Sequence, residues 1–120
     1  MDKYEALYSF YSGFGIPAYE ENSVPDDAKM PYIAYEVITG SYDAENIALS
    51  CQIFFKDTSL AAIDRITEKL SGELSGGKKI PCDTGYIVLY RGSPFAQNTS
   101  TGDKSVKSKY VNITADYITL

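Results

Sequence analysis

Residues 47–56, IALSCQIFFK, constrain the fold of this chain more than any other stretch. Leu49, Cys51, Ile53 and Phe55 alternate with Ser50, Gln52 and Phe54. A period of two sends successive side chains to opposite faces of an extended strand, so one face of this stretch is expected on a core. A second extended segment, 32–39, lies just upstream, and a helical pattern, 59–74, follows at once. A strand with a hairpin partner before it and a helix after it is expected inside a sheet.

The 120 residues are 44% hydrophobic and 22% charged, which suits one domain with one core. No stretch approaches the roughly 20 apolar residues of a membrane helix. The opening MDKYEALYSF is acidic and mixed, unlike a secretory signal, so a cytosolic site of synthesis is expected. Net charge is −5, the wrong sign for a protein whose task is to hold nucleic acid.

The first helix is expected over 2–12. Asp2 can cap it, and Glu5 stands three residues on, as in a capping box. Tyr4, Leu7, Tyr8, Tyr11 and Phe14 follow 3-4 spacing and form an aromatic stripe expected to face the core. Gly13, Gly15 and Pro17 end the helix. Residues 16–30 hold two prolines and the acids Glu20, Glu21, Asp26 and Asp27, and read as a solvated connection. Pro31 opens the first strand, with Ile33, Tyr35 and Val37 on one face and Tyr32, Ala34, Glu36 and Ile38 on the other. Residues 40–46, GSYDAEN, have turn chemistry and are long enough to project.

Asp57, Thr58 or Ser59 can cap the second helix, whose buried stripe is Leu60, Ile63, Ile66 or Thr67, Leu70 and Leu74. Gly76 and Gly77 stop it. Residues 78–85 read as a turn-rich link. The third strand, 86–91 (YIVLYR), is apolar on both faces, which implies burial on both sides or an oligomer contact through Tyr86, Val88 and Tyr90. Residues 92–105 lack periodicity and read as a long loop, poorly ordered until a partner orders it. The loop carries an apolar pair, Pro94 and Phe95, as an interface anchor. Lys104, Lys107 and Lys109 then add positive charge suited to an acidic rim on a neighbour. The fourth strand is 106–120, with Val111, Ile113, Ala115 and Tyr117 facing the core. Lys107 and Lys109 share that parity. Either the core face ends near Val111, or a bulge lies between Lys109 and Val111. The expected order is α-β-β-α-β-β: an α+β fold with a four-stranded, mostly antiparallel sheet and helices packed on one face.

Chemistry is scarce. The chain has no P-loop, GxGxxG, HExxH or GxSxG, and no histidine. Cys51 and Cys82, the only cysteines, read as free thiols, and with no histidine they make no metal set. The nearest carboxylate pairs, Asp43 with Glu45 and Asp26 with Asp27, lie in polar loops and read as solvated acids. Eleven tyrosines sit mostly on amphipathic faces, which suits packing better than base stacking. No catalytic residue, cofactor or metal site is therefore expected.

Four features together resemble the tail-terminator (tail-completion) proteins of long-tailed bacteriophages, the group of the lambda minor tail protein U. A Pro-Tyr-Ile-Ala-Tyr opening at Pro31 follows a short helix and a loop. A strand ending in Phe55-Lys56-Asp57 runs into the second helix. Tyr-Ile-Val-Leu-Tyr from Tyr86 is followed by Gly92-Ser93-Pro94-Phe95-Ala96-Gln97, and a final strand carries Tyr110-Val111-Asn112-Ile113. The resemblance covers nearly the whole chain. It implies a structural protein, not an enzyme, of phage or prophage origin, found in the virion tail or neck and in host cytoplasm during assembly. It implies a ring, commonly a hexamer, that caps the tail tube and joins it to the head-side connector while DNA passes through without specific binding. The implied partners are other copies of the chain, the tail-tube protein and the connector or stopper protein, with no membrane. Other neck proteins, such as stopper and minor capsid proteins, share this size and composition. A small-molecule-binding regulatory α+β domain is the competing reading from another class.

Overall fold

The computed structural model describes residues 1–38 and 45–120. Thr39, Asp43 and the expected 40–46 loop as far as Ala44 lie outside the described residues. The elements run α1 (Lys3–Tyr11), a 3-10 turn (Ser12–Phe14), β1 (Ala18–Glu20), β2 (Tyr32–Tyr35), β3 (Ile47–Ala48) and β4 (Cys51–Lys56), then α2 (Ala61–Glu73), β5 (Lys78–Cys82), β6 (Gly85–Thr99) and β7 (Val106–Thr119). The fold is α+β. Two helices accompany a mixed, strongly curled seven-stranded sheet that forms a half-barrel, in place of the expected four strands.

The 47–56 stretch is interior, as its alternation requires. The strand order is β1-β2-β4-β7-β6-β5, with β3 paired to β7. Ile47 lies opposite Ala115 and Cys51 opposite Val111, in one continuous register along β7. Between them Leu49 N–H donates to the Ile113 carbonyl at 2.8 Å, while the Ser50 carbonyl turns to accept from Glu36 N–H at 3.0 Å. Leu49, Cys51 and Ile53 are buried with Ile33, Ile87, Leu89, Val111 and Ile113 in one core. Both helices lie on that core side of the sheet. Their buried residues join the same cluster, removing apolar area from water.

α1 keeps its expected cap. The Asp2 carboxylate accepts from Glu5 N–H at 2.8 Å, and Asp2 N–H donates to the Glu5 carboxylate at 3.1 Å. Its expected stripe is corrected by about one residue of rotation. Leu7, Tyr11 and Phe14 are buried, but Tyr4 and Tyr8 are 49% and 54% exposed. The line 3-7-11-14 faces the sheet because the Lys3 stem is buried too, its Nζ donating to Thr84 Oγ1 at 2.9 Å. Tyr11 stacks on Tyr35 with ring centroids 4.6 Å apart. In α2, Ile63, Thr67, Leu70 and the capping Leu74 are buried, whereas Leu60 is 38% exposed. Thr67 can be interior because its hydroxyl donates to the Ile63 carbonyl at 2.7 Å.

Three segments expected as loops are strands. β1 pairs in parallel with β2, Ala18 opposite Ile33, so the 16–30 connection holds an edge strand too short to show a period. β5 forms a tight hairpin with β6, Cys82 opposite Gly85, which replaces the expected 78–85 link. β6 continues to Thr99, so most of the expected 92–105 loop is sheet. Its ladder with β7 steps from Arg91 opposite Ile113 to Ala96 opposite Val111, which leaves 92–95 facing Asn112 alone. This wide bulge is pinned by Asn112, whose Nδ2 donates to the Pro94 carbonyl at 2.9 Å. Gly92 is required beneath it, since a Cβ there would stand 2.7 Å from the Asn112 carbonyl oxygen. β7 itself keeps a single register against β4 from Val111 to Val106, so no bulge separates Lys109 from Val111.

Candidate functional site

The helices leave the other side of the sheet open, and the candidate site is that outer face. Its central groove has a floor from three strands: Tyr32 and Ala34 of β2, Gln52 and Phe54 of β4 with the adjoining Ser50, and Tyr110 of β7. Glu21 and Val24, from the connection after β1, form one wall of this cavity of about 300 Å³. The groove continues past Ser50, Glu36 and Tyr110 to Ala48, Pro94 and Asn112 at the β6 bulge. Strand alternation explains the lining. Ile33, Cys51, Ile53 and Val111 point to the core, so their neighbours in sequence must point outward.

Aromatic contacts order the floor. The Tyr19 and Tyr32 rings meet edge to face at 5.8 Å, and Tyr32 lies tilted against Phe54 at 5.1 Å. The polar groups are tied together as well. The Ser50 and Tyr110 hydroxyls are 2.7 Å apart, and Gln52 Nε2 donates to Ser108 Oγ at 2.9 Å. Burial pushes the Glu36 carboxyl above its ordinary range, and the nearby Glu21 adds to the push. The Ser50 N–H and the Tyr110 hydroxyl favour the ionised form but do not outweigh those two. A carboxyl raised in the folded state opposes folding when ionised, and that penalty disappears as pH falls through the carboxylate range. Glu36→Gln is accordingly expected to melt above the parent at neutral pH, with the two melting temperatures converging in acid. Thermal melts across a pH series check this, and a gap that widened in acid would contradict it.

The expected contact residues divide. Tyr86, Val88 and Tyr90 all lie on the outer side of β6, with Ile87 and Leu89 buried between them. Lys79 Nζ sits over the Tyr86 ring, 4.1 Å from its centroid. Pro94 borders the groove, but Phe95 is half-buried against the core and is no free anchor. Lys104 is exposed in the turn between β6 and β7, and Lys107 is half-buried on β7 opposite Phe55. Lys109 is removed from the expected set. It reaches Asp64 of α2 at 2.9 Å on the core side of the sheet, with only 14% of its side chain exposed. Sequence reasoning missed Tyr32, Phe54, Tyr110, Glu21 and Glu36 as a surface. Outward parity was the available signal, but parity within single strands does not reveal that they adjoin.

Among the described residues no group of three or more His, Cys, Asp and Glu could hold a metal ion. Burial pushes the Cys51 thiol far up, so it carries no thiolate at neutral pH. Asp26, Asp27 and Glu45 are exposed, and Asp43 lies outside the described residues. The outer face offers aromatic area, hydroxyls, amides and two neighbouring carboxylates, which is the chemistry of a contact surface. No protein-family model, curated protein or solved structure matches the chain.

Proposed function

We propose that this chain is a structural subunit of a phage tail, a tail-terminator-like protein that closes into a ring on the tail tube and joins it to the head-side connector. The observation that carries the reading is the uncovered outer face, where aromatic rings of β2, β4 and β7 lie open to a partner. Strand addition is a poor alternative route to self-association at the β5 edge. Lys78, Lys79 and Pro81 blunt that edge, as natural sheets do to avoid pairing. The pattern of segments around Pro31, Phe55, Tyr86 and Tyr110 supports the tail assignment. A net charge of −5 suits a conduit that lets DNA pass without gripping it.

The test is to mix the purified chain with tail tubes from a phage that carries the gene and to image the tubes by electron microscopy. One ring at a single end of each tube is the expected result. In solution the mass should rise with concentration above the 13.2 kDa of one chain. Tubes left bare, with the chain monomeric at every concentration, would sink the proposal. Binding to the connector without the tube would move the chain to another position in the neck.

A further inference from the structure

Glu21 and Glu36 stand together where β2 ends. Glu21 N–H donates to the Tyr35 carbonyl, and Glu36 N–H donates to the Ser50 carbonyl. Glu36 is half-buried on the outer side, and its carboxylate accepts from Ser50 N–H and from the Tyr110 hydroxyl, which fix its position. Among the described residues the ion pairs are Met1 with Asp83, Lys78 with Glu73 and Lys109 with Asp64, and none reaches Glu21 or Glu36. Residues 39–44 hold no lysine or arginine. The adjacent Glu20 differs, because its carboxylate is taken up locally by Asn22 Nδ2 at 2.9 Å and Asn22 N–H at 3.0 Å. Beside the two unbalanced acids lies an aromatic floor. Tyr32, Phe54 and Tyr110 line the same cavity of about 300 Å³ as Glu21. That is the low end of ligand pockets, about 300–1,000 Å³, with room for one side chain rather than a folded element. The groove then runs across β4 and β7 to Pro94 and Asn112. From β2 to β6 it crosses three strand spacings, about 14 Å, the length of about four extended residues.

We propose that this groove takes an extended segment of a partner protein, with one arginine of that segment lying on the Tyr32, Phe54 and Tyr110 rings and its guanidinium set between Glu21 and Glu36. Charge complementarity selects a cation, and the rings select the kind. A planar guanidinium stacks on aromatic faces and offers donors in several directions, so one group meets the rings and both carboxylates. An ammonium is a compact, strongly hydrated point charge and does this less well. The partner is a different protein. This chain holds only two arginines, and both lie on the helix side of the sheet. Arg91 shares the parity of the buried Ile87 and Leu89, and its Nη1 donates to Ser71 Oγ at 3.2 Å. Arg65 belongs to α2, next to Asp64 and one turn before Glu68. Neither is an unbalanced cation to offer to a second copy. The inference goes beyond the ring reading and does not depend on it, because the groove is complete within one chain.

The probe is the blocked peptide acetyl-Gly-Ser-Arg-Ser-Gly-amide, titrated into the isotope-labelled chain and followed by amide chemical shifts. Saturable shifts are expected at Ala34, Ser50, Gln52 and Tyr110. The same peptide with citrulline keeps the shape without the charge and is expected to bind about tenfold more weakly. The arginine peptide should lose about as much on Glu36→Gln or Glu21→Gln, neither of which removes core packing. Tyr32→Leu, which removes a ring but stays apolar, is expected to weaken it about threefold. Shifts that spread over the surface without saturating would overturn the proposal. So would equal binding of the citrulline peptide, or glutamine variants that bind like the parent. A lysine peptide that binds as tightly as the arginine peptide would overturn the assignment to a guanidinium. If the same four amides shift when the chain alone is concentrated, the occupant is a second copy and the proposal falls. The tail reading is decided separately on tubes, so bare tubes beside a saturable titration would remove that reading and leave this one.

Discussion

Ile33→Asp is expected to abolish cooperative unfolding of the chain. Ile33 is fully buried on β2, with Ala18 of β1 on one side and Ile53 of β4 on the other. Neither cross-strand neighbour can pair with a carboxylate. An aspartate there must be either an unpaired buried charge or a neutral acid without its hydrogen bonds, and it also vacates the space of the isoleucine side chain. Such a change costs several kcal/mol, about 4 or more, against a stability of about 5–15 kcal/mol for a typical domain. The same replacement at Ile53 is expected to cost less. Ile53 lies opposite Lys109, so its aspartate could share that ammonium with Asp64. Denaturant titrations of the two variants check the order. An Ile33→Asp chain as stable as the parent would mean that β2 does not lie between β1 and β4.

Gly85→Ala is expected to be the most damaging glycine replacement. Gly85 follows the Asp83-Thr84 turn at φ 154°, and a Cβ there would stand 1.9 Å from the Ile118 carbonyl oxygen. The obstacle is backbone, part of the β6–β7 ladder in which Gly85 lies opposite Thr119, so it cannot rotate away. Relief requires opening the end of that ladder, and a loss of about 3 kcal/mol or more is expected. Gly102→Ala is the control. Gly102 also has positive φ, at 76°, but nothing stands within 4 Å of the added carbon. Its cost should stay near about 1 kcal/mol, the price of the left-handed backbone alone. Equal denaturation midpoints for the two variants would show that the turn after β5 is not packed as described.

The sequence by itself determined the elements whose signal is local. The alternation of Leu49, Cys51 and Ile53 identified the interior strand, because a period of two is a property of the extended chain wherever it lies. The Asp2–Glu5 capping box and the Ile63, Leu70 and Leu74 positions of the α2 stripe were legible because their partners lie within four residues, while the choice of Thr67 over Ile66 and the exposure of Leu60 were not. The inward positions of β7 from Val111 to Tyr117 followed from parity in the same way, whereas 86–91 is apolar on both faces and only the structure told its outer side from its inner one. Tertiary structure decided whatever depended on a distant partner. β1 exists because Ala18–Glu20 has β2 beside it, and three residues are too few to carry a period. The second half of β6, with Gln97, Asn98 and Thr99, reads as loop because its residues are polar. It is a strand because β7 supplies its hydrogen bonds across the Asn112-pinned bulge. The rotation of α1, which exposes Tyr4 and Tyr8, was set by the burial of the Lys3 stem and its bond to Thr84, 81 residues away. Lys109 has core-side parity in the sequence, but that it is occupied there by Asp64 of α2, and so leaves the expected contact set, was decided by tertiary structure. The groove, too, is made by tertiary structure. Glu21, Glu36 and Tyr110 are far apart in the chain, and only the pairing of β2, β4 and β7 brings them to one surface, since strand neighbours are fixed by long-range hydrogen bonds that no local pattern encodes.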